Sequence, residues 1–179
     1  MGIGIIVCGL NGSGKSTLGK VLAEKLAFHF IDVEDLYFPK TSLNYVYSAS
    51  RSHAEVERLL TLEIKKHANF VFSSVKGDYG ANTFPYYQYA VLIDAPKNIR
   101  LARIRVRSYQ KFGERILPGG DLYEQEESFF NMVNSRPEQY AEEWICSLKC
   151  PIIRVDGTKS VKDNVDYIYR QIQNGELNR

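Results

Sequence analysis

Apolar positions along this chain fall into two alternating patterns. Short continuous runs, Ile3–Cys8, Phe28–Asp32, Phe70–Val75, Tyr89–Asp94 and Ile152–Val155, read as buried strands. Between them the spacing becomes helical. Leu18, Val21, Leu22 and Leu26 share one face of a helix from about Lys15 to Ala27. Val56, Leu59, Leu60 and Ile64 do the same from about His53 to His67. A third helix starts at Ala95-Pro96 and runs to about Phe112, with Ile99, Ala102, Ile104 and Val106 inside it. Asp121 with Glu124, and Ser160 with Asp163, have the spacing of capping pairs. The first opens a helix to at least Arg136, restarting at Pro137 towards Leu148; the second opens a final helix to about Ile172. Tyr37 to Ser50 reads as loop or short irregular helix, and Gly113 to Gly120 as a loop.

Five buried strands separated by amphipathic helices predict an α/β fold, a parallel sheet covered on both faces. Right-handed crossovers then bring all the strand C-terminal ends to one rim, where ligands bind. Gly9, Asp32, Ser74, Asp94 and Asp156 belong to that rim.

Composition narrows the class. The 179 residues suit a single domain spanning 1–179, and 44% hydrophobic with 25% charged residues is ordinary for a soluble globular protein. A net charge of +2 is too small to argue for a nucleic acid polymer or a membrane as partner. Three cysteines, Cys8, Cys146 and Cys150, make no disulfide framework. The opening apolar run is short and ends in glycine, so it reads as a strand rather than a signal peptide. The expected location is the cytoplasm; oligomeric state leaves no mark in the sequence.

Candidate chemistry begins where the first strand turns into the first helix. Gly9-Leu10-Asn11-Gly12-Ser13-Gly14-Lys15-Ser16-Thr17 fits G-x-x-x-x-G-K-[ST] in its required strand-to-helix context. Glycines allow positive φ and close approach, so successive N–H groups converge on phosphate oxygens, and the helix N-terminus adds partial positive charge. Lys15 is the side chain for the β- and γ-phosphates, and Ser16 the magnesium ligand. The expected ligands are ATP and Mg2+.

Three further stretches make the chain resemble the small P-loop kinases, namely the nucleoside monophosphate kinases (adenylate kinase above all) and shikimate kinase. Gly14 to Ala23 leading to Phe30-Ile31-Asp32-Val33-Glu34 is similar to shikimate kinase, whose second strand is followed by a D-x-D pair. That likeness implies that Asp32 helps order magnesium and acts on the acceptor, and that Glu34 binds substrate hydroxyls. Asp94-Ala95-Pro96 leading to Arg103 and Arg107 is similar to adenylate kinase, which implies Arg103 against the adenine and Arg107 on the phosphates. The i, i+4 spacing puts both on one helical face. Val155 to Val161 resembles the segment before the last helix of adenylate kinase, implying that Gly157 and Thr158 meet the adenine edge. By the same likeness residues 112–121 form a short lid carrying Arg115, with Arg136 on the next helix, both closing on the moving phosphoryl group. Gly119 and Gly120 supply its hinge. The implied fold is a three-layer P-loop NTPase fold with strand order 2-3-1-4-5, and residues 33–67 form the acceptor region.

The resemblance has gaps. D-x-E stands where shikimate kinase has D-x-D, and Ser74 stands where many P-loop proteins carry a magnesium-organising aspartate. Arg51 aligns loosely with an arginine for an acidic substrate group. Tyr37, Phe38, Tyr45, Tyr47, Tyr79, Phe84, Tyr86, Tyr87 and Tyr89 form an expected aromatic band around the acceptor pocket. The expected activity is ATP-dependent phosphoryl transfer to a small molecule, a nucleoside monophosphate or a shikimate-like hydroxyl acceptor. A nucleotide-binding regulator or slow NTPase, and a non-catalytic nucleotide-binding domain, stay open beside it.

Overall fold

The computed structural model describes residues 2–39, 45, 47 and 49–177. Five strands form one parallel sheet: β1 (Gly4–Cys8), β2 (His29–Asp32), β3 (Phe70–Ser74), β4 (Tyr87–Asp94) and β5 (Ile152–Asp156), in the order β2-β3-β1-β4-β5. The helices are α1 (Lys15–Leu26), α2 (Val33–Tyr37), α3 (His53–Lys66), α4 (Lys97–Phe112), α5 (Tyr123–Ser135), α6 (Tyr140–Ile145) and α7 (Val161–Leu177).

Side-chain alternation along each strand divides the interior into two layers. On β1, Ile6 and Cys8 face one side with Val56, Leu60 and Ile64 of α3 and Ala141 and Ile145 of α6. Ile5 and Val7 face the other side with Leu18 and Leu22 of α1 and Val165, Ile168 and Ile172 of α7. Strands buried on both faces read as continuous apolar runs, which is why the sequence showed them without alternation. A third, smaller cluster, with Ile104 of α4, Ile116, Leu122, and Phe130 and Val133 of α5, sits apart and underlies residues 112–122. Among the described residues no helix is long and apolar enough to cross a membrane.

Two expectations need correction. Asp121 does not cap α5: Leu122 holds the cap position without a side-chain bond, and the Asp121 carboxylate takes a two-pronged bond from Arg115 instead. A guanidinium nearby outcompetes a backbone N–H for a carboxylate. The expected third helix is present as α4, with Ile99, Ala102, Ile104 and Val106 inside it and a buried line of Arg100, Ile104 and Ser108. The aromatic band also divides. Tyr37, Phe38, Tyr45, Tyr47, Tyr79 and Phe112 form one chain of ring contacts. Tyr87 and Tyr89 instead sit low on β4, their hydroxyls facing the carbonyls of Gly77 and Ile172, and Phe84 meets Trp144. The irregular stretch expected from Tyr37 to Ser50 includes residues 40–44, 46 and 48, which lie outside the described residues; its start, to Tyr37, is the end of α2.

Candidate active site

The loop between β1 and α1 takes its shape from two left-handed glycines, Gly12 at φ 81° and Gly14 at φ 101°. Gly14 is the N-cap of α1 and offers no side-chain acceptor, and the first turn of the helix carries no acidic residue. The opening N–H groups are therefore left for an external anion. Ser13 is almost fully buried in the loop and its Oγ has no hydrogen-bond partner. An uncapped helix start beside an orphaned hydroxyl fits a polyphosphate, and Ser16 in the first turn fits the hydroxyl ligand of its magnesium.

Gly12 also meets a steric demand. A Cβ there would stand 2.3 Å from the Arg100 carbonyl oxygen. Gly12→Ala is expected to lower stability by about 1–3 kcal/mol, from a strained φ and a backbone clash together. Thermal unfolding checks it; a midpoint equal to that of the native chain would mean that the loop relaxes at no cost.

Lys15 is partly buried rather than the exposed loop lysine that its position suggests. Burial pulls its pKa below the ordinary lysine value, and the carboxylates of Glu34 and Asp32 pull it back up, while the Arg107 guanidinium adds to the depression. Those four groups come from β1–α1, β2–α2 and α4, so the sheet topology is what assembles them. Asp32 ends β2, and its Oδ1 accepts the Glu34 N–H at 3.0 Å, capping α2. The Arg107 guanidinium approaches Glu34 Oε1 at 3.8 Å, with both side chains about half exposed.

The other predicted residues divide by what already holds them. Arg136 donates to Asn11 Oδ1, which ties the end of α5 to the phosphate loop. Arg103 donates to the Gly157 carbonyl at 3.0 Å and reaches the Gly12 carbonyl at 3.4 Å, bridging the phosphate loop and the β5–α7 turn. In that turn Asp156 Oδ1 accepts from both the N–H and the hydroxyl of Thr158, and the Gly157 N–H donates to the Asp94 carbonyl. A side chain at Gly157 would press on the Ser13 carbonyl at 2.7 Å. Gly9 is equally confined, with the Ile93 carbonyl 2.5 Å from where its Cβ would be. Thr17 is exposed on the first turn of α1. Arg51 is spent on α2, donating to the carbonyls of Leu36 at 2.7 Å and Asp35 at 3.5 Å; binding an acceptor would require it to leave them.

Within residues 112–121, Arg115 pairs with Asp121 at 2.6 Å. Gly113 and Gly119 have positive φ with open space around them. Gly120 does not: a Cβ there would stand 2.2 Å from the Arg115 carbonyl oxygen, so close approach rather than hinge freedom requires the glycine.

Two supports were not legible in the sequence. Arg100, 2% exposed, donates Nε to the Ala95 carbonyl and its terminal nitrogen to both oxygens of Glu138, which bolts α4 to the segment before α6. Ser73 donates its hydroxyl to the Lys15 carbonyl at 3.1 Å, holding the loop from beneath. Ser74, at the position of the missing carboxylate, faces the Tyr79 hydroxyl at 3.3 Å. Next to β3 in the sheet, Asp32 pairs in register with Ser73, so the rim still carries a carboxylate one strand over. A cleft of about 720 Å³ opens beside Gly9, between the Asp94–Pro96 turn, α6 and Thr158. Lys15, Asp32 and Arg107 do not line it, so it lies on the β4–β5 side, away from the acidic pair.

Comparison with known proteins bears on the family and the fold. The AAA domain family matches residues 5–128. The chain is 27% identical over 172 residues to YqaC of Bacillus subtilis (strain 168), covering 92% of this chain and 94% of that protein. It is 26% identical over 167 residues to the adenylate kinase isoenzyme 6 homolog of Caenorhabditis elegans, covering 92% and 86%. Among solved structures, the deoxyadenosine kinase of M. mycoides with bound dATP superposes with a TM-score of 0.59 at 15% identity, over 97% of this chain and 100% of that one. That last likeness concerns the fold alone. With the phosphate loop, the strand order and the match over most of its length, the chain belongs to the AAA domain family, and its resemblances there are to small P-loop kinases.

Proposed function

We propose that the chain is an ATP-dependent kinase that moves the γ-phosphoryl group to a hydroxyl of a small polar molecule. The observation that carries this reading is the convergence of Lys15, Asp32, Glu34 and Arg107 on one patch of the sheet rim. The loop amides and Lys15 would hold the β- and γ-phosphates, and Arg103, bonded to the Gly157 carbonyl, would rest with Gly157 and Thr158 against the base. Ser16, with Asp32 on the acceptor side, would hold magnesium, whose charge neutralises the phosphate oxygens. In the transfer, the acceptor hydroxyl gives its proton to Asp32 and its oxygen bonds to the γ-phosphorus. The bond from that phosphorus to the β–γ bridging oxygen breaks, and ADP leaves. Arg107, which reaches Glu34, and Arg136, which donates to Asn11 of the phosphate loop, would stabilise charge on the moving group, and closure of residues 112–121 as a lid carrying Arg115 would exclude water.

Two carboxylates on the acceptor side favour a hydroxyl over a nucleoside monophosphate. They accept hydrogen bonds from hydroxyls, whereas they repel an incoming phosphate. A panel of polyols, sugar acids, shikimate, nucleosides and nucleoside monophosphates, read by acceptor-stimulated ADP release, tests this. Stimulation by hydroxyl acceptors is the expected result. Stimulation by monophosphates alone would reverse the order. ADP release that no acceptor changes would favour the second reading, a nucleotide-dependent regulator or slow NTPase, to which the serines ending β3 point.

Arg107 gives an independent check. Arg107→Ala is expected to lower turnover by about 10³-fold, the scale of an arginine acting on a transferring phosphoryl group, with ATP affinity changed only a few-fold. Single-turnover kinetics beside ATP titration separates the two quantities. Equal turnover in the variant would leave Arg107 as a solvated partner of Glu34.

A further inference from the structure

The chain has only three histidines, and two of them meet at the rim of the sheet opposite the phosphate loop. His29 opens β2, His67 caps the C-terminus of α3, and Glu63 lies one helical turn before His67 on the same face. His29 Nε2 stands 3.0 Å from Glu63 Oε2, and His67 Nε2 stands 3.8 Å from the same oxygen. The imidazole rings stack with centroids 3.6 Å apart and planes 14° from parallel. One donor atom from each of the three side chains lies within 4.8 Å of the other two, and each side chain is about one-third exposed.

We propose that His29, Glu63 and His67 form a binding site for a divalent transition-metal ion, zinc foremost, separate from the kinase chemistry. Zinc binds imidazole nitrogen and carboxylate oxygen at about 2.0–2.2 Å, which in a tetrahedron puts neighbouring ligand atoms about 3.3–3.5 Å apart. The observed 3.0 and 3.8 Å bracket that spacing. Two imidazoles select zinc or its neighbours over magnesium and calcium, which prefer all-oxygen shells. Three protein ligands leave the fourth position to water.

The stacked rings are the arrangement of the metal-free side chains. Each nitrogen lone pair lies in the plane of its own ring, so a shared ion requires the rings to turn until both Nε2 atoms face it. Partial exposure at a strand start and a helix end leaves room for that rotation. The bound ion would fasten β2, the edge strand of the sheet, to α3. Since β2 carries Asp32 at its far end, the ion would stiffen the strand that presents the acceptor carboxylate.

The test is zinc titration calorimetry on the untagged, nucleotide-free chain carrying Cys146→Ser and Cys150→Ser, which removes competing surface thiols. Expected is one zinc ion per chain with an affinity in the micromolar range or tighter. His67→Gln and His29→Gln, made separately in that background, are each expected to weaken binding by at least about tenfold, the scale on which even the outer partners of a metal ligand act. In thermal unfolding, zinc at a hundredfold excess over its dissociation constant is expected to raise the midpoint by about 5 °C or more, and by clearly less in either variant. The absence of saturable zinc binding would overturn the proposal. So would binding that neither histidine variant weakens, and the triad would then be a hydrogen-bonded ion cluster only.

Discussion

Lys15→Ala is expected to reduce phosphoryl transfer to less than about a thousandth of the native rate while leaving the fold intact. Catalysis at such a site is almost entirely charge neutralisation and positioning, and a single preorganised group at the developing charge is worth about 10²–10³ even where neutral donors remain beside it. The fold has little to lose. Ser73 holds the loop through the Lys15 carbonyl, and the glycine torsions at Gly12 and Gly14 shape the backbone, so truncating the side chain removes none of the contacts that hold the loop. The variant also relieves a burden, because burial disfavours the charged ammonium in the nucleotide-free protein. A slightly higher unfolding midpoint together with lost turnover is therefore the expected pair of results. Turnover within tenfold of native would remove the proposed mechanism, since Lys15 is the one basic residue of the Gly9–Thr17 segment and Arg103 and Arg136 meet that segment through a carbonyl and an amide oxygen.

The second large effect concerns Asp32. Asp32→Asn is expected to lower turnover by about 10²-fold or more with ATP affinity little changed. The substitution is nearly isosteric, and the asparagine carbonyl oxygen can still accept the Glu34 N–H, so the cap of α2 survives. What disappears is a negative charge two strands over from β1, whose loop carries the lysine, with its capacity to take the acceptor proton. Measured separately, kcat should fall and the unfolding midpoint should move by no more than a cap-preserving change allows, under about 1 kcal/mol. An unchanged kcat would reduce Asp32 to a helix cap and hand proton acceptance to Glu34, which Glu34→Gln would then reveal.

Some features were open to reading because they are local. The phosphate loop occupies nine consecutive residues, and each strand that enters the sheet is a short apolar run, so neither needs a distant partner to be recognised. The Ser160 cap was legible for the same reason: its hydroxyl accepts the Asp163 N–H three residues away at 3.1 Å. The fates of the arginines were not. Arg100, Arg103 and Arg107 sit on neighbouring faces of α4, yet one is buried against Glu138, one bridges two loops, and one reaches Glu34. Their partners come from positions 38, 54 and 73 residues away along the chain in either direction, and no local pattern encodes such meetings. Asp121 failed as a cap because the chain between residues 115 and 121 folds back and brings Arg115 to it. The aromatic band divided because Tyr87 and Tyr89 stand at the start of β4, a whole strand length from the rim.

Backbone torsion preference and apolar periodicity act over a few residues, so the order of amino acids already specifies a parallel sheet with an anion-binding turn after its first strand. Which charged side chains come together and which are consumed as struts was settled by long-range packing. It also placed Asp32 beside Ser73 and two histidines against Glu63 at the far rim. Those outcomes depend on strand order and helix packing, and the energy of a charge is set by the neighbours that folding brings to it rather than by its neighbours in the chain.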